Sequence, residues 1–215
     1  MSERESSPAK IPPQAAARAE TPDAAAGEIT GEITEGTGGA GGDERFEARV
    51  PDGDDRPRLV CRDCGFINYE NPKIVVGSVA TWGARILLCR RAIEPRRGYW
   101  TLPAGYLEQH EDAASGARRE AWEEARAEIA IDQLLAVYSI PRISQIQLIY
   151  RATLVSPDVS AGPETLELDL FSWQAIPWED LAFPSVHWAL QDHHALRDQK
   201  AFAPRANPIE TAGSG

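Results

Sequence analysis

Apolar residues fall along this chain in short, β-branched runs more often than in helical stripes. KIVVGSVAT (73–81) and RILLCRR (85–91) are separated by Trp82-Gly83-Ala84, which predicts two strands joined in a hairpin. Trp100 and Leu102 predict a short strand. LLAVYSI, QIQLIYRATLV and LELDLFSW predict three more, with the clearest alternation at Gln145–Tyr150. Two stretches carry a helical period. In the first, Asp112 is the expected N-cap, since its carboxylate satisfies free N–H groups of the first turn. Ala114, Ala117, Ala121 and Ala125 then form a small-residue stripe suited to close packing on a sheet, with the acids expected elsewhere on the circumference. The second helix is expected over 185–199 and mixes Val186 and Leu190 with His193, His194 and Arg197; both histidines read as packing or surface residues. The fold class is α/β.

The ends of the chain have a different texture. Residues 1–44 hold no aromatic side chain and are rich in Ala, Gly, Glu, Thr and Pro. They bury too little apolar surface to offset ordering entropy, so a disordered tail is expected. Residues 45–72 read as a hairpin turning at Pro51–Asp54. The main domain is expected over 73–200, and a polar C-terminal tail over 201–215.

A formal charge of -11 leaves no basic footprint for nucleic acid or an anionic membrane surface. No apolar run approaches a membrane span of about 20 residues, and the first residues lack the apolar core of a secretory leader. Three cysteines are an odd number and do not form a disulfide framework. A reducing, cytoplasmic setting is expected. Cys89 lies inside an apolar run and reads as a buried structural thiol.

Candidate chemistry concentrates in Gly105–Ala127, GYLEQHEDAASGARREAWEEARA. On a helix, Glu120, Glu123 and Glu124 stand at i, i+3 and i+4 and share one side. Such a cluster either holds Mg²⁺ against phosphate oxygens or is a solvated acidic face. The spacing adds more. Gly105, five residues, Glu111, seven residues, Arg119-Glu120, two residues and Glu123-Glu124 together resemble the Nudix box. The box's late glycine is replaced by Arg126. A non-glycine residue forced into the left-handed region at a helix end costs about 1 kcal/mol or more. Alternatively the helix runs on to Glu128.

The resemblance covers roughly residues 58–200. It implies an α/β/α sandwich with a mixed sheet and hydrolysis of a nucleoside diphosphate linked to another group, dependent on Mg²⁺ or Mn²⁺. Glu120 and Glu124 become the implied main metal ligands, Glu123 shares a metal, and a main-chain carbonyl of Ala104 or Gly105 joins the shell. Arg119 is implied to position Glu120. Glu120 is also a candidate base, as is an acid from the later loop, with Glu167 first and Glu164 second. The flanking residues resemble members acting on FAD or ADP-ribose, so the expected partner is a small nucleotide, with a homodimer as a further expectation by analogy. Two other readings use the same box: a nucleotide sensor that no longer hydrolyses, suggested by Arg126, and sanitation of oxidised dNTPs. Trp82, Tyr99, Tyr106 and Tyr138 are candidates for ring stacking, against a packing role for each.

Cys61-x-x-Cys64-Gly65 has the form of a zinc knuckle. A subgroup of the family carries a zinc ribbon before the catalytic domain. Its first cysteine pair would fall at Gly39 and Gly42 here, so Cys61 and Cys64 are expected to form a degenerate ribbon, with zinc not the favoured occupant.

Overall fold

The computed structural model describes residues 45–208; the expected disordered tail at 1–44 lies outside them. At the centre of the main sheet is β4 (Lys73–Trp82), which pairs parallel with β9 (Gln145–Leu154). Both faces of β4 are covered from Val76 to Ala80, which is why this stretch shows no regular polar–apolar alternation. It turns at Gly83 into β5 (Arg85–Arg91), the hairpin that the sequence predicts. β10 (Thr165–Ser172) pairs with β5, and β8 (Ile129–Ile140) with β9, both antiparallel. The order is β10-β5-β4-β9-β8.

β4 and β5 are paired only at Thr81–Ile86 and Trp82–Arg85. Further on, β6 (Trp100–Thr101) pairs with β5 and β7 (Ala104–Tyr106) with β4. These two short strands carry the chain from the sheet into α1 (Ala113–Ala125).

Two helices cover the sheet. α1 packs Ala121 and Ala125 on Ala80, Leu87, Cys89 and Ala152. α2 (Pro184–Leu196) packs Val186, Ala189 and Leu190 with Val79, Leu88, Leu135 and Tyr138 on the other face. This is the α/β/α sandwich with a mixed sheet. Cys89 is 1% exposed and belongs to the core, as its apolar setting predicts. Tyr138 is also core; burial raises its pKa, and its hydroxyl donates to Asp192 Oδ2 at 2.7 Å.

Several boundaries differ from expectation. β8 begins at Ile129, five residues before LLAVYSI, because a register shift between Ile131 and Gln133 carries the strand past polar Asp132. α2 ends at Leu196 and not at 199. The chain expected as a tail from 201 lies along β8 instead. Arg205 exchanges bonds of 2.9 Å with Leu135 O and Val137 N, and the Asn207 side chain bonds both backbone groups of Ser139 at 2.8 Å. These contacts cover what would otherwise be an open strand edge. Residues 209–215 lie outside the description.

Before β4, a separate three-stranded sheet is built from β1 (Phe46–Arg49), β2 (Arg58–Cys61) and β3 (Ile67–Asn68). The β1–β2 turn closes with Asp54 N–H donating to Pro51 O at 3.0 Å. Among the described residues, no helix is long and apolar enough to cross a membrane.

Candidate active site

Asp112 caps α1 as predicted: its Oδ1 accepts from the N–H groups of Ala114 and Ser115 at 3.1 and 2.9 Å. The helix then carries two of its acids inward. Glu120 is 7% exposed and Glu124 8%, beside the alanine stripe and not on a separate face. Only Glu123 of the three points to solvent, with its side chain 54% exposed.

Glu120 lies over Gly105. A Cβ at that glycine would clash with a Glu120 carboxylate oxygen, so the absence of a side chain there makes room for the acid. Arg119 fixes it from the other side, with Nη1 donating to Glu120 Oε1 at 2.7 Å. The same guanidinium reaches Glu123 at 3.2 Å, both oxygens of Glu111 at 3.0 and 3.1 Å, and Tyr106 O at 2.9 Å. Arg119 therefore joins the start of the box to its acidic cluster. Its bonds raise its own pKa and lower that of Glu111.

The alternation of backbone bonds along β7 separates Ala104 from Gly105. Ser78 N–H donates to Pro103 O at 3.2 Å and Leu107 N–H to Ile74 O at 3.0 Å. With Val76 opposite Gly105, the ladder to β4 uses residues 103, 105 and 107. Ala104 and Tyr106 turn their backbone groups the other way. Ala104 N–H accordingly donates to Glu124 Oε2 at 3.2 Å, and Tyr106 O meets Arg119. The Ala104 carbonyl shares this outward side; the Gly105 carbonyl is spent on β4.

Helix α1 ends at Arg126, which takes the left-handed conformation (φ 49°, ψ 28°) usual for glycine. Of the two alternatives, the helix stops and does not run on. Arg126 N–H donates to Trp122 O at 2.9 Å, and its side chain folds back, with Nη1 3.2 Å from the same carbonyl. The 160–162 loop closes over this end. Ser160 N–H donates to Ala125 O and Gly162 N–H to Glu124 O, each at 2.9 Å. Gly162 approaches so closely that a Cβ would overlap Glu123 O. Gly162 is a site-building residue that the sequence reading missed; a glycine before Pro163 was its signal.

The loop pinned to α1 leads into the two later acids. Glu164 lies two residues beyond Gly162, and its charge adds to the raised pKa of both Glu120 and Glu124. Glu167 does not join the cluster. It is on β10, where Arg90 Nη1 binds it at 3.2 Å.

Burial pushes the Glu124 carboxyl up to about 8, with Glu120 and Glu164 adding to the rise and the Ala104 N–H and Arg91 opposing it. Burial also raises Glu120, partly offset by Arg119. Unbalanced negative charge in a buried, oxygen-only site suits a hard divalent cation. The side chains alone do not complete a shell: among the described residues no three His, Cys, Asp or Glu groups are gathered to hold a metal. Two carboxylates and one carbonyl fit Mg²⁺, which keeps several waters.

Among the described residues, the N-terminal sheet holds half of a structural zinc site. The knuckle turn is present: Gly65 N–H donates to Cys61 O at 2.9 Å, and the N–H groups of Cys64 and Asp63 lower the Cys61 pKa. Cys61 and Cys64 supply two of the four donors of such a site.

Comparison with known proteins agrees with this architecture. Residues 72–194 match the NUDIX domain, and residues 42–70 match the Nudix N-terminal zinc-ribbon unit, a match that begins after Gly39. A Nudix hydrolase of Nitrosomonas europaea superposes with a TM-score of 0.72 at 45% identity, over 75% of this chain and 93% of that one. An ADP-ribose pyrophosphatase of Methanocaldococcus jannaschii is 27% identical over 113 residues, 51% of this chain and 67% of the relative. A MutT-like protein of Streptomyces ambofaciens is 36% identical over 77 residues, 36% of this chain; the match spans about half of that relative, 48%. The chain belongs to the Nudix hydrolase family.

Proposed function

We propose that this protein is a pyrophosphatase, dependent on Mg²⁺ or Mn²⁺, that hydrolyses a nucleoside diphosphate linked to another moiety. The observation that carries the proposal is the pair of buried carboxylates, Glu120 and Glu124, set beside the outward Ala104 carbonyl. These three groups would hold the metal, with Glu123 at the exposed rim. When bound, the ion screens the phosphates and lowers the pKa of a coordinated water.

Arg119 fixes Glu120 in position, and Gly105 gives the carboxylate room. Glu164 takes the role of base that the sequence reading gave first to Glu167, because Glu167 is held by Arg90 while the charge of Glu164 is felt at both Glu120 and Glu124. In the reaction, water attacks one phosphorus and its proton passes to the base. The bridging P–O bond breaks, and its electron pair leaves with the second phosphate.

The proposed substrates are ADP-ribose, giving AMP and ribose 5-phosphate, and FAD, giving FMN and AMP. The name of the Methanocaldococcus jannaschii relative supports the first. A sensor reading loses its motive, since Arg126 ends α1 without displacing Glu120 or Glu124. The test is turnover of FAD, ADP-ribose, NADH, dinucleoside polyphosphates and 8-oxo-dGTP with Mg²⁺ or Mn²⁺, products resolved by chromatography. Cleavage of ADP-ribose or FAD at the pyrophosphate is expected. Binding without cleavage of any member would overturn the proposal in favour of a sensor.

A further inference from the structure

A cleft of about 690 Å³ opens where the segment joining the two sheets meets the first residues of β4 and β9. Its walls include Asn68, Tyr69, Asn71, Lys73, Tyr106 and Gln145. That volume is in the range of small-molecule sites. The N-terminal sheet and its connecting segment thus build one wall of a cavity, although the sheet carries half of a zinc site.

The lining has a particular chemistry. Tyr69 and Tyr106 are 56% and 50% exposed, large aromatic surfaces left open to solvent. Arg58 and Lys73 each place a cation 5.2 Å from one of these rings. Gln145 Nε2 donates to the Tyr106 hydroxyl at 3.3 Å, and Gln147 Nε2 to Gln145 Oε1 at 3.3 Å, so the Tyr106 ring is oriented by a chain of amides. The amides of Asn68 and Asn71 make no hydrogen bond among the described residues and are available to a ligand. Lys73 and Glu70 are the charged residues of the lining, which is therefore close to neutral. A phosphate calls for guanidinium groups. Those line a different cleft of about 320 Å³, at Arg90 and Arg97. A neutral cleft with aromatic faces and free amides fits an uncharged planar heterocycle.

Tyr106 connects this cleft to the carboxylates. A side chain at Gly105 would point at Glu120, so by the pleat Tyr106 presents its ring on the opposite face. Its carbonyl is held by Arg119. A ligand against the Tyr106 ring therefore lies across β7 from Glu120, beside the backbone that Gly105 and Tyr106 share.

We propose that this cleft binds the base-bearing half of the nucleotide, with the heterocycle stacked on Tyr69 and its edge bonded by Asn71. The inference rests on the pyrophosphatase reading for the identity of the ligand and names the part of the substrate that the N-terminal unit helps to hold.

Calorimetry on the full chain with Mg²⁺ tests it, using AMP, FMN and the base-free ribose 5-phosphate as probes. At least one nucleotide should bind more tightly than ribose 5-phosphate by about fivefold or more. Tyr69→Ala and Asn71→Ala should each weaken that nucleotide by about five- to a hundredfold and leave ribose 5-phosphate unchanged, while Tyr69→Phe keeps the affinity. Tyr69 is a surface residue, so the variants retain the fold. Two results would overturn the cleft: neither nucleotide exceeding ribose 5-phosphate, or both variants binding like the parent. Failure of the reaction is separable. A parent that cleaves no pyrophosphate sinks the proposed activity and leaves the binding comparison valid. Turnover with KM unmoved by Tyr69→Ala sinks the cleft alone.

Discussion

The carboxylate of Glu120 occupies the space that a side chain at residue 105 would fill. Gly105→Ala therefore displaces Glu120 from the cluster without touching the apolar core. A misplacement of about 1 Å in a catalytic group costs about a hundredfold. The expected outcome is a loss of kcat of at least that size with an unchanged circular dichroism spectrum. Parent-like turnover would show that Glu120 has another place to go.

Arg119 binds Glu111, Glu120, Glu123 and Tyr106 O through one planar guanidinium. A lysine offers a point charge without that fork. Arg119→Lys should lower metal affinity or activity by about ten- to a hundredfold, the range for groups that orient metal ligands. Titration of Mn²⁺ into the variant, followed by its paramagnetic signal, checks this apart from turnover.

Glu124 carries a pH signature. Its pKa in the folded, metal-free protein is about 8, against an ordinary value of 4.5, because burial disfavours the charged form. This contribution to stability is full below pH 4.5 and is lost as pH rises toward 8. His193 acts in the opposite direction: burial lowers its pKa to about 4, so its contribution is present above pH 6.5 and is lost as pH falls toward 4. The comparison that isolates Glu124 is Glu124→Gln against the parent in EDTA. Their melting temperatures should nearly coincide at pH 5, and the variant should melt higher at pH 8. Saturating Mg²⁺ should stabilise the parent and reverse that order.

Arg126 sits at φ 49°, where a glycine carries no Cβ penalty. Arg126→Gly should stabilise the protein by up to about 1 kcal/mol, reduced by the loss of the bond from its side chain to Trp122 O. The expected result is a raised melting temperature with kcat unchanged. A change in kcat would tie this end of the helix to the chemistry.

Much of this architecture is legible in the sequence because it rests on local periodicity. The hairpin at Gly83, the Asp112 cap and the order of Arg119, Glu120, Glu123 and Glu124 are all set by residues within a few positions of one another. The remainder depends on which strand lies beside which. Ala104 and Gly105 are adjacent letters, and the ladder to β4 alone decides which carbonyl is free. Glu164 and Glu167 are the same residue type three positions apart, and only the folded chain shows that Arg90 binds Glu167 while the loop before Glu164 is pinned to α1. The depth of Glu120 and Glu124 was likewise hidden, because three acids at helical spacing look the same on a solvated face as beside a sheet. The stretch after 201 reads as polar because it covers a strand edge with backbone bonds, which leave no apolar pattern.

The proposed chemistry turns on Glu124 as a buried metal ligand for pyrophosphate hydrolysis. Its most direct test is kcat of Glu124→Gln at saturating Mg²⁺, on whichever pyrophosphate the parent cleaves. The side chain keeps its size and can still accept from Ala104 N–H, so packing is preserved while the charge is lost. A fall in kcat of about a hundred- to a thousandfold is predicted, the scale of removing one group that stabilises transition-state charge. A kcat equal to that of the parent would contradict the account.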